Sequence, residues 1–438
     1  MELNKKNIIE YWEQSMLPLV FVLSPLINIA FYYLGLCYKE NVAREYGFIA
    51  ISIAFAIVAG GMFLNITLKE RFKWHIWVIC IVVVLFFAVN FIVGIMSTKS
   101  IFLKESLQRF IVFCMPALMI GVCAAKLHTE QYFILILEKY SFFVLPAVVI
   151  FINQVLFDCN PFSNGRDLGI INYMSFSYTL MPLLMANIIQ LIEKKELHIP
   201  FYNKPLKFPL VCRTICIVIY WVAMYSTGGR GSVICTLFFI FLIIVYRIIR
   251  KQEKKGIILI SLLMVGVLSF NLFVYAPSGM RWLGRMNIFI DGLAEGKIIT
   301  TYEEDGDTTN EENTGTKIEN IASRGTLFKL SFKEFKESPF TGMGAGGFTQ
   351  KYQIYPHNAI LELLAETGIL GASVIISIVL FAILNLLRNG WKDMSVMCVL
   401  AYFLTYALQA NISGSIWECS VLLCAIGYGV TYKRPNDN

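Results

Sequence analysis

One histidine in this sequence stands where acid–base chemistry would be useful. His357 lies in the string Pro356-His357-Asn358, between a long polar segment and an apolar run. The other three histidines, at positions 75, 128 and 198, lie elsewhere in the chain. A neutral imidazole can take a proton from a hydroxyl group near neutral pH. We therefore expect His357 to be a general base. The alternatives are a solvated histidine and one that caps the following helix.

Three arginines lie beside glycines in polar segments. They are Arg166 in SNGRDLG, Arg230 in STGGRGS and Arg324 in Ser323-Arg324-Gly325. The guanidinium group is permanently charged and matches the geometry of phosphate oxygens. Together the three indicate a site for a diphosphate group. Each one alone could be an arginine that keeps its charge at a membrane surface.

A glycine-rich segment, residues 338–347 (SPFTGMGAGG), precedes His357. Gly342, Gly344 and Gly347 fit the string G-x-G-x-x-G, but that string indicates a dinucleotide site only after a strand in a βαβ unit. The sequence predicts no such strand, so we exclude a dinucleotide site. Two interpretations remain: a turn whose backbone amides bind an anion, and a simple tight turn.

Three glutamates accompany these residues. Glu362 and Glu366 are four residues apart, so they share one helix face just after His357. Glu418 lies near the start of the last apolar run, where a lone carboxylate is costly. One of these carboxylates could orient His357 or bind a substrate hydroxyl. The alternatives are a solvated helix face and an ion pair with an arginine.

No metal ion or cofactor is predicted. The motif Asp305-Gly306-Asp307 falls in a polar stretch and lacks the ligand spacing of a calcium loop. The net charge of +7 does not indicate a nucleic-acid partner, because in a membrane protein the position of each charge matters more than the total.

The composition indicates how these residues are held. Of the 438 residues, 57% are hydrophobic and 15% are charged, against roughly 25% charged in soluble domains. This excludes a soluble globular enzyme and a disordered chain, and the long unbroken apolar runs exclude a β-barrel. The sequence predicts an all-α polytopic membrane protein with about twelve transmembrane helices. They lie near residues 16–37, 46–66, 74–96, 107–125, 140–157, 170–192, 208–225, 231–249, 256–275, 368–387, 394–411 and 414–432.

The distribution of Lys and Arg predicts the orientation. With the N-terminus in the cytoplasm, the short cytoplasmic segments hold most of these residues, as in the stretch 247–255. Both termini are then cytoplasmic, and no cleaved signal peptide is expected. Residues 1–275 carry helices 1–9, residues 276–357 form one long extracytoplasmic loop, and residues 358–438 carry helices 10–12.

The long loop has its own predicted organisation. Residues 280–293 and Arg324–Glu337 show apolar positions at helical spacing and predict two amphipathic helices. Ser338-Pro339 ends the second helix. The acidic stretch 303–316 between them predicts a mobile excursion.

These features resemble the O-antigen ligase and Wzy-type polysaccharide polymerase family of bacterial membrane glycosyltransferases. The specific part is His357-Asn358, nine residues, then Gly368-Ile369-Leu370-Gly371, preceded by Ser323-Arg324-Gly325 and the SPFTGMG string. The strong match covers residues 323–372, and a weaker one extends back to Arg166. The turn at Arg230 reads Gly-Gly-Arg where Ser-Arg is commoner, and the acidic stretch is unlike the family pattern.

The resemblance implies the activity. The donor would be a glycan on undecaprenyl diphosphate, and transfer would invert the anomeric carbon without a metal ion. His357 would be the catalytic base at the outer face of the bacterial cytoplasmic membrane. Arg166, Arg230 and, less directly, Arg324 would bind the diphosphate. Asn358, Gly342, Gly344, Glu366 and Glu418 would support the site.

Three functions remain open on the sequence. A polymerase transfers the growing chain to another lipid-linked repeat unit, and a ligase transfers it to lipid A core or another anchor. We favour the polymerase, because such family members are diverse and no acceptor-docking segment is evident. A lipid-linked oligosaccharide flippase is the third, but it would place polar or broken-helix features at the membrane midplane. The expected partners are the lipid-linked donor, a glycan acceptor and the bilayer, with a chain-length regulator as a further candidate.

Overall fold

The computed structural model describes residues 5–33, 42–69, 72–98, 101–153, 173–193, 210–226, 230–251 and 324–434. All regular structure in this part of the chain is helical, which confirms the all-α prediction. Eight of its helices are long and apolar enough to cross a membrane, so the polytopic membrane class is confirmed as well. The count of twelve spans remains a prediction.

The helices before residue 252 follow the predicted spans. They are α1 (Lys5–Tyr33), α2 (Val42–Lys69), α3 (Trp74–Thr98), α4 (Ile101–Arg109), a π-helix (Phe110–Cys114), α5 (Met115–Leu127), α6 (Glu130–Asn153), α7 (Tyr173–Glu193), α8 (Leu210–Ser226) and α9 (Arg230–Ile249). A helix satisfies its backbone groups internally, which is why apolar runs of this length form helices in a membrane. The ninth predicted span, 256–275, lies outside the described residues.

The second described part begins at residue 324. Its helices are α10 (Arg324–Glu337), α11 (Gly347–Tyr352), α12 (Ala359–Gly390), α13 (Met394–Ser413), a 3-10 helix (Ile416–Glu418) and α14 (Ser420–Thr431). The predicted amphipathic helix Arg324–Glu337 is confirmed at both ends. The predicted helix at 280–293 and the acidic stretch 303–316 fall outside the described residues.

The last predicted span, 414–432, differs in the structure. Gly414 ends α13 with extended backbone (φ −103°, ψ 171°), and the 3-10 helix follows before α14 begins. α14 has 12 residues, which is about 18 Å at 1.5 Å per residue and shorter than the ~30 Å hydrocarbon core. The apolar run suggested one helix because Ile416 and Trp417 are buried in the irregular segment.

Two glycines bring this irregular segment close to α4. A Cβ atom at Gly121 of α5 would lie 2.8 Å from the Tyr428 nitrogen of α14, and one at Gly427 would lie 3.1 Å from the Val122 nitrogen. The two backbones therefore touch, as small residues allow in membrane helices. Because α4 and its π-helix precede α5, and residues 413–418 precede α14, this contact holds the 413–418 segment against α4.

Candidate active site

The site is built on a break in α12. Gly368 has φ 64° and ψ −171°, which interrupts the helix. In an unbroken helix, the nitrogens of Ile369 and Leu370 would bond to the carbonyls of Ala365 and Glu366. The break therefore leaves two donors and two acceptors without helical partners, which is costly in a membrane protein.

The glycine-rich segment 338–347 provides partners for all four groups. Ile369 donates to the Pro339 carbonyl at 2.8 Å, and Leu370 donates to the Phe340 carbonyl at 3.2 Å. In return, the nitrogens of residues 343 and 344 donate to the carbonyls of residues 365 and 366, both at 2.9 Å. The glycine-rich segment thus supplies the hydrogen-bond partners that the break in α12 leaves without helical partners.

Glycine is required where the two backbones touch. Gly342 has φ 67°, and a Cβ atom there would lie 2.5 Å from the Glu366 carbonyl oxygen. A Cβ atom at Gly368 would lie 2.5 Å from the Thr341 nitrogen. The Gly342 amide donates to Ser338, and the Gly344 amide donates to Glu366. Backbone carbonyls thus occupy the amides of Gly342 and Gly344, as the tight-turn interpretation expects.

Glu366 and Glu362 hold this unit to the rest of the protein. Glu366 is 1% exposed and accepts from the Gly346 nitrogen (2.8 Å), the Phe348 nitrogen (3.2 Å) and Trp417 Nε1 (2.7 Å). Glu362 accepts from Ser415 Oγ (3.0 Å) and the Ile416 nitrogen (2.7 Å). Both carboxylates are buried anchors of the irregular segments. This anchoring role is compatible with the expectation that Glu366 supports the site, and an orienting role for one of the glutamates stays a prediction.

His357 precedes the capped start of α12. The Asn358 side chain accepts from the Leu361 nitrogen at 2.9 Å and donates to the Asn411 carbonyl at 3.0 Å. This helix cap, worth about 1 kcal/mol, fixes the backbone next to His357, whose own φ is 56°. Positive φ is uncommon outside glycine. Helix capping thus belongs to Asn358.

The surroundings of His357 keep its ring neutral. Burial and the charge of Arg324 lower the pKa of His357 from 6.5 to about 4, against a small opposite effect of a backbone hydrogen bond with Ser413. The ring is only partly exposed, and Nδ1 is buried without a hydrogen-bond partner among the described residues. A neutral imidazole at pH 7 can accept a proton, as a general base must.

Two arginine charges act at this place, and one was not predicted. Arg324 begins α10, and its charge acts on both His357 and Tyr355. Arg109 ends α4, forms a 2.6 Å ion pair with Glu418 and also lowers the pKa of Tyr355. The predicted alternative, that Glu418 pairs with an arginine, is confirmed. The costly carboxylate at Glu418 was the sequence signal that a cation must lie nearby.

The start of α9 lies close to the same segment. Gly231 packs on the Tyr178 hydroxyl so closely that a Cβ atom there would overlap it, and Ser413 Oγ donates to that hydroxyl at 2.9 Å. Arg230 is the first residue of α9, so its backbone lies beside this contact. Arg166 lies outside the described residues. The structure therefore brings together His357, Arg324, Arg109 and the first turn of α9.

Comparison with known protein families gives a match to part of the chain. Residues 215–376 match the family model described as O-antigen ligase. The match includes the start of α9, Arg324, the glycine-rich segment, His357 and the break in α12, and it confirms the family resemblance over this part of the chain. Arg109, Arg166 and Glu418 lie outside it. No curated protein matches the sequence.

Proposed function

Because the chain carries an O-antigen ligase family domain at residues 215–376, we propose that it transfers a glycan from undecaprenyl diphosphate to an acceptor hydroxyl. The observation that carries the proposal is a neutral histidine, His357, beside the positive charge of Arg324. The family and the apolar helices indicate a bacterial cytoplasmic membrane protein. Both termini are proposed to be cytoplasmic, with the site on the outer face.

In the proposed reaction His357 takes the proton of the acceptor hydroxyl. The acceptor oxygen bonds to the anomeric carbon from the side opposite the diphosphate, and the bond from that carbon to the diphosphate oxygen breaks. The configuration of the anomeric carbon is inverted, and undecaprenyl diphosphate is released. A base in a fixed position removes much of the entropic barrier.

The arginines stabilise the leaving group. Arg324, Arg230 and Arg166 are proposed to bind the diphosphate, whose negative charge grows as the glycosidic bond breaks. A bound diphosphate would offset the Arg324 charge that depresses the pKa of His357. The base would then become stronger when the donor is in place, because its pKa would rise towards the working pH.

The acceptor distinguishes the polymerase from the ligase. The chain-building polymerase, acting on lipid-linked repeat units for O-antigen, capsule or exopolysaccharide, is the function that we favour. The description of the matched family equally fits the ligase. A chain-length regulator would be a partner only of the polymerase.

The first test compares surface glycans of the native host with and without this protein. We expect deletion to reduce the long-chain ladder to single repeat units, and expression of the wild-type chain to restore it. If long chains instead accumulate on the lipid carrier and never reach their anchor, the protein is the ligase. An unchanged glycan profile would contradict both forms of the proposal.

A second test concerns Arg324. The change Arg324→Gln removes a charge that lowers the pKa of His357, so this pKa should rise. The base is then protonated at higher pH, and the acidic limb of the transfer rate should move from about pH 4 towards neutral pH. The shift should be partial, because burial is the larger cause. The donor KM should rise about tenfold, as expected for one charged hydrogen bond.

Lys329→Gln is the matched control for this variant. Lys329 is an exposed cation of the same helix, α10, and is not among the charges that act on His357. The acidic limb should stay in place in the Lys329→Gln variant. Equal pH profiles for the two variants would show that Arg324 does not control the charge of His357.

A further inference from the structure

A tyrosine lies against the imidazole of His357. The ring centroids of Tyr355 and His357 are 4.0 Å apart with an interplanar angle of 49°. The backbone between α11 and α12 is restricted on both sides of this tyrosine, since Gln353 (φ 58°) and His357 both have left-handed backbone and Pro356 fixes its own φ. A proline also restricts the residue before it. Tyr355 is therefore held in one backbone conformation.

The hydroxyl of Tyr355 ties this pair of rings to the end of α13. It donates to the Ser413 carbonyl over 3.4 Å, and the backbone of Ser413 also hydrogen-bonds with His357. Ser413 is itself held by its bond to Tyr178 and by the nitrogen of Gly414, which donates to Ala410 at 3.0 Å. One carbonyl group thus serves both rings.

The phenol is unsuited to proton transfer at neutral pH. Burial, followed by the charges of Glu362 and Glu418, raises the pKa of Tyr355 to about 12, against the opposite effects of Arg324 and Arg109. The hydroxyl therefore remains protonated and acts as a hydrogen-bond donor. The hydroxyl contacts a carbonyl group and the ring contacts the imidazole, which fits a side chain that orients another residue.

We propose that Tyr355 is the positioning residue of the base: its ring holds the imidazole of His357 in one orientation and covers it from water, while its hydroxyl fixes both rings to Ser413. The proposal rests on the proposed role of His357 and adds a residue that directs this role. A base that turns freely loses rate, because a displacement of about 1 Å can cost about 10²-fold.

Three variants distinguish the effect of the Tyr355 ring from that of its hydroxyl and from a general effect on the fold. Tyr355→Leu removes the ring, Tyr355→Phe removes only the hydroxyl, and Tyr352→Phe is the control. The Tyr352 hydroxyl bonds to Glu334 at 2.5 Å in the same part of the chain but faces no part of the His357 ring in the described contacts. For each variant we would measure kcat, the donor KM and the acidic limb of the pH profile.

Tyr355→Leu should reduce kcat about a hundredfold, leave the donor KM within about twofold and move the acidic limb towards pH 6.5. The limb moves because burial, the main cause of the lowered pKa of His357, is reduced. Tyr355→Phe should keep the acidic limb in place and lower kcat less than Tyr355→Leu does, since the ring remains and only its bond to Ser413 is lost. Tyr352→Phe should alter neither. If Tyr355→Leu keeps the wild-type kcat, or loses kcat without any change in the limb, the proposal is overturned.

A readout without catalysis keeps this test separate from the proposed function. In protein with ¹⁵N-labelled histidine, the His357 signals can be assigned by their loss in His357→Gln, and their titration gives the pKa directly. We expect a higher pKa in Tyr355→Leu than in wild type and Tyr352→Phe. That result without glycan transfer by the wild type would contradict the function and support the positioning role. An unchanged pKa would overturn the positioning role whatever the activity.

Discussion

Replacing His357 with alanine is expected to lower the rate of glycan transfer at pH 7 about 10²- to 10⁴-fold, the usual contribution of a general base. The donor KM should change little, because the diphosphate is assigned to arginines and not to this ring. The fold should persist, because the change removes only the hydrogen bond with the Ser413 backbone and the ring contact with Tyr355, while Asn358 still caps the helix. Initial rates with the purified protein and a lipid-linked donor check this.

His75→Ala is the matched control for that experiment. His75 lies near the start of α3, is partly exposed like His357 and takes no part in the described site. Its replacement should leave the transfer rate within about twofold of the wild type. A His357→Ala variant that keeps a rate within threefold of the wild type would remove the base from the mechanism.

Replacing Gly368 with alanine is expected to destabilise the protein by about 2 to 6 kcal/mol, as the sum of a backbone conformation open almost only to glycine and of steric overlap. The backbone at Gly368 (φ 64°, ψ −171°) lies in that region. The added Cβ atom would press on the Phe340 and Thr341 backbone and separate the glycine-rich segment from α12. Thermal unfolding in detergent should show the loss, together with loss of transfer.

Gly60→Ala is the control for the glycine variant. Gly60 lies within α2, and a Cβ atom there would have no neighbour within 4 Å. The change should be neutral or stabilise by up to about 1 kcal/mol, because alanine favours a helix. Equal unfolding temperatures for Gly368→Ala and Gly60→Ala would mean that the break in α12 does not need glycine.

The sequence predicts regular elements well, because their signals are periodic. The apolar and charged positions of α10 repeat at helical spacing, and Ser338-Pro339 stops them, so both ends agree with the structure. Helical spacing also placed Glu362 and Glu366 on one face of α12, and both are buried. Hydropathy alone predicted one helix over 414–432, because Ile416 and Trp417 are apolar residues buried in the short 3-10 helix that separates α13 from α14.

The contacts of the site could not be predicted in the same way. Glu366 binds the nitrogens of residues 346 and 348, which belong to a segment without periodicity. Arg109 and Glu418 are 309 positions apart, and their pairing depends on the close packing of α5 and α14. Arg324 and His357 were associated by family resemblance and not by spacing. Long-range geometry of this kind appears only after the helices have packed.

The dispersed contacts of the 413–418 segment have a consequence for biogenesis. Translation delivers the glycine-rich segment and then α12 in immediate succession, so these two can pair as soon as both have left the ribosome and the insertion machinery. The groups that bind Glu362 and Arg109, the Trp417 donor to Glu366 and the Ser413 carbonyl that accepts from Tyr355 are made only at or after the end of α13. In a nascent chain that ends before Ser413, the proposed base His357 and its neighbour Tyr355 therefore lack their contacts with Ser413. With the proposed function, the protein would acquire its activity late, when the fold around the site is nearly finished.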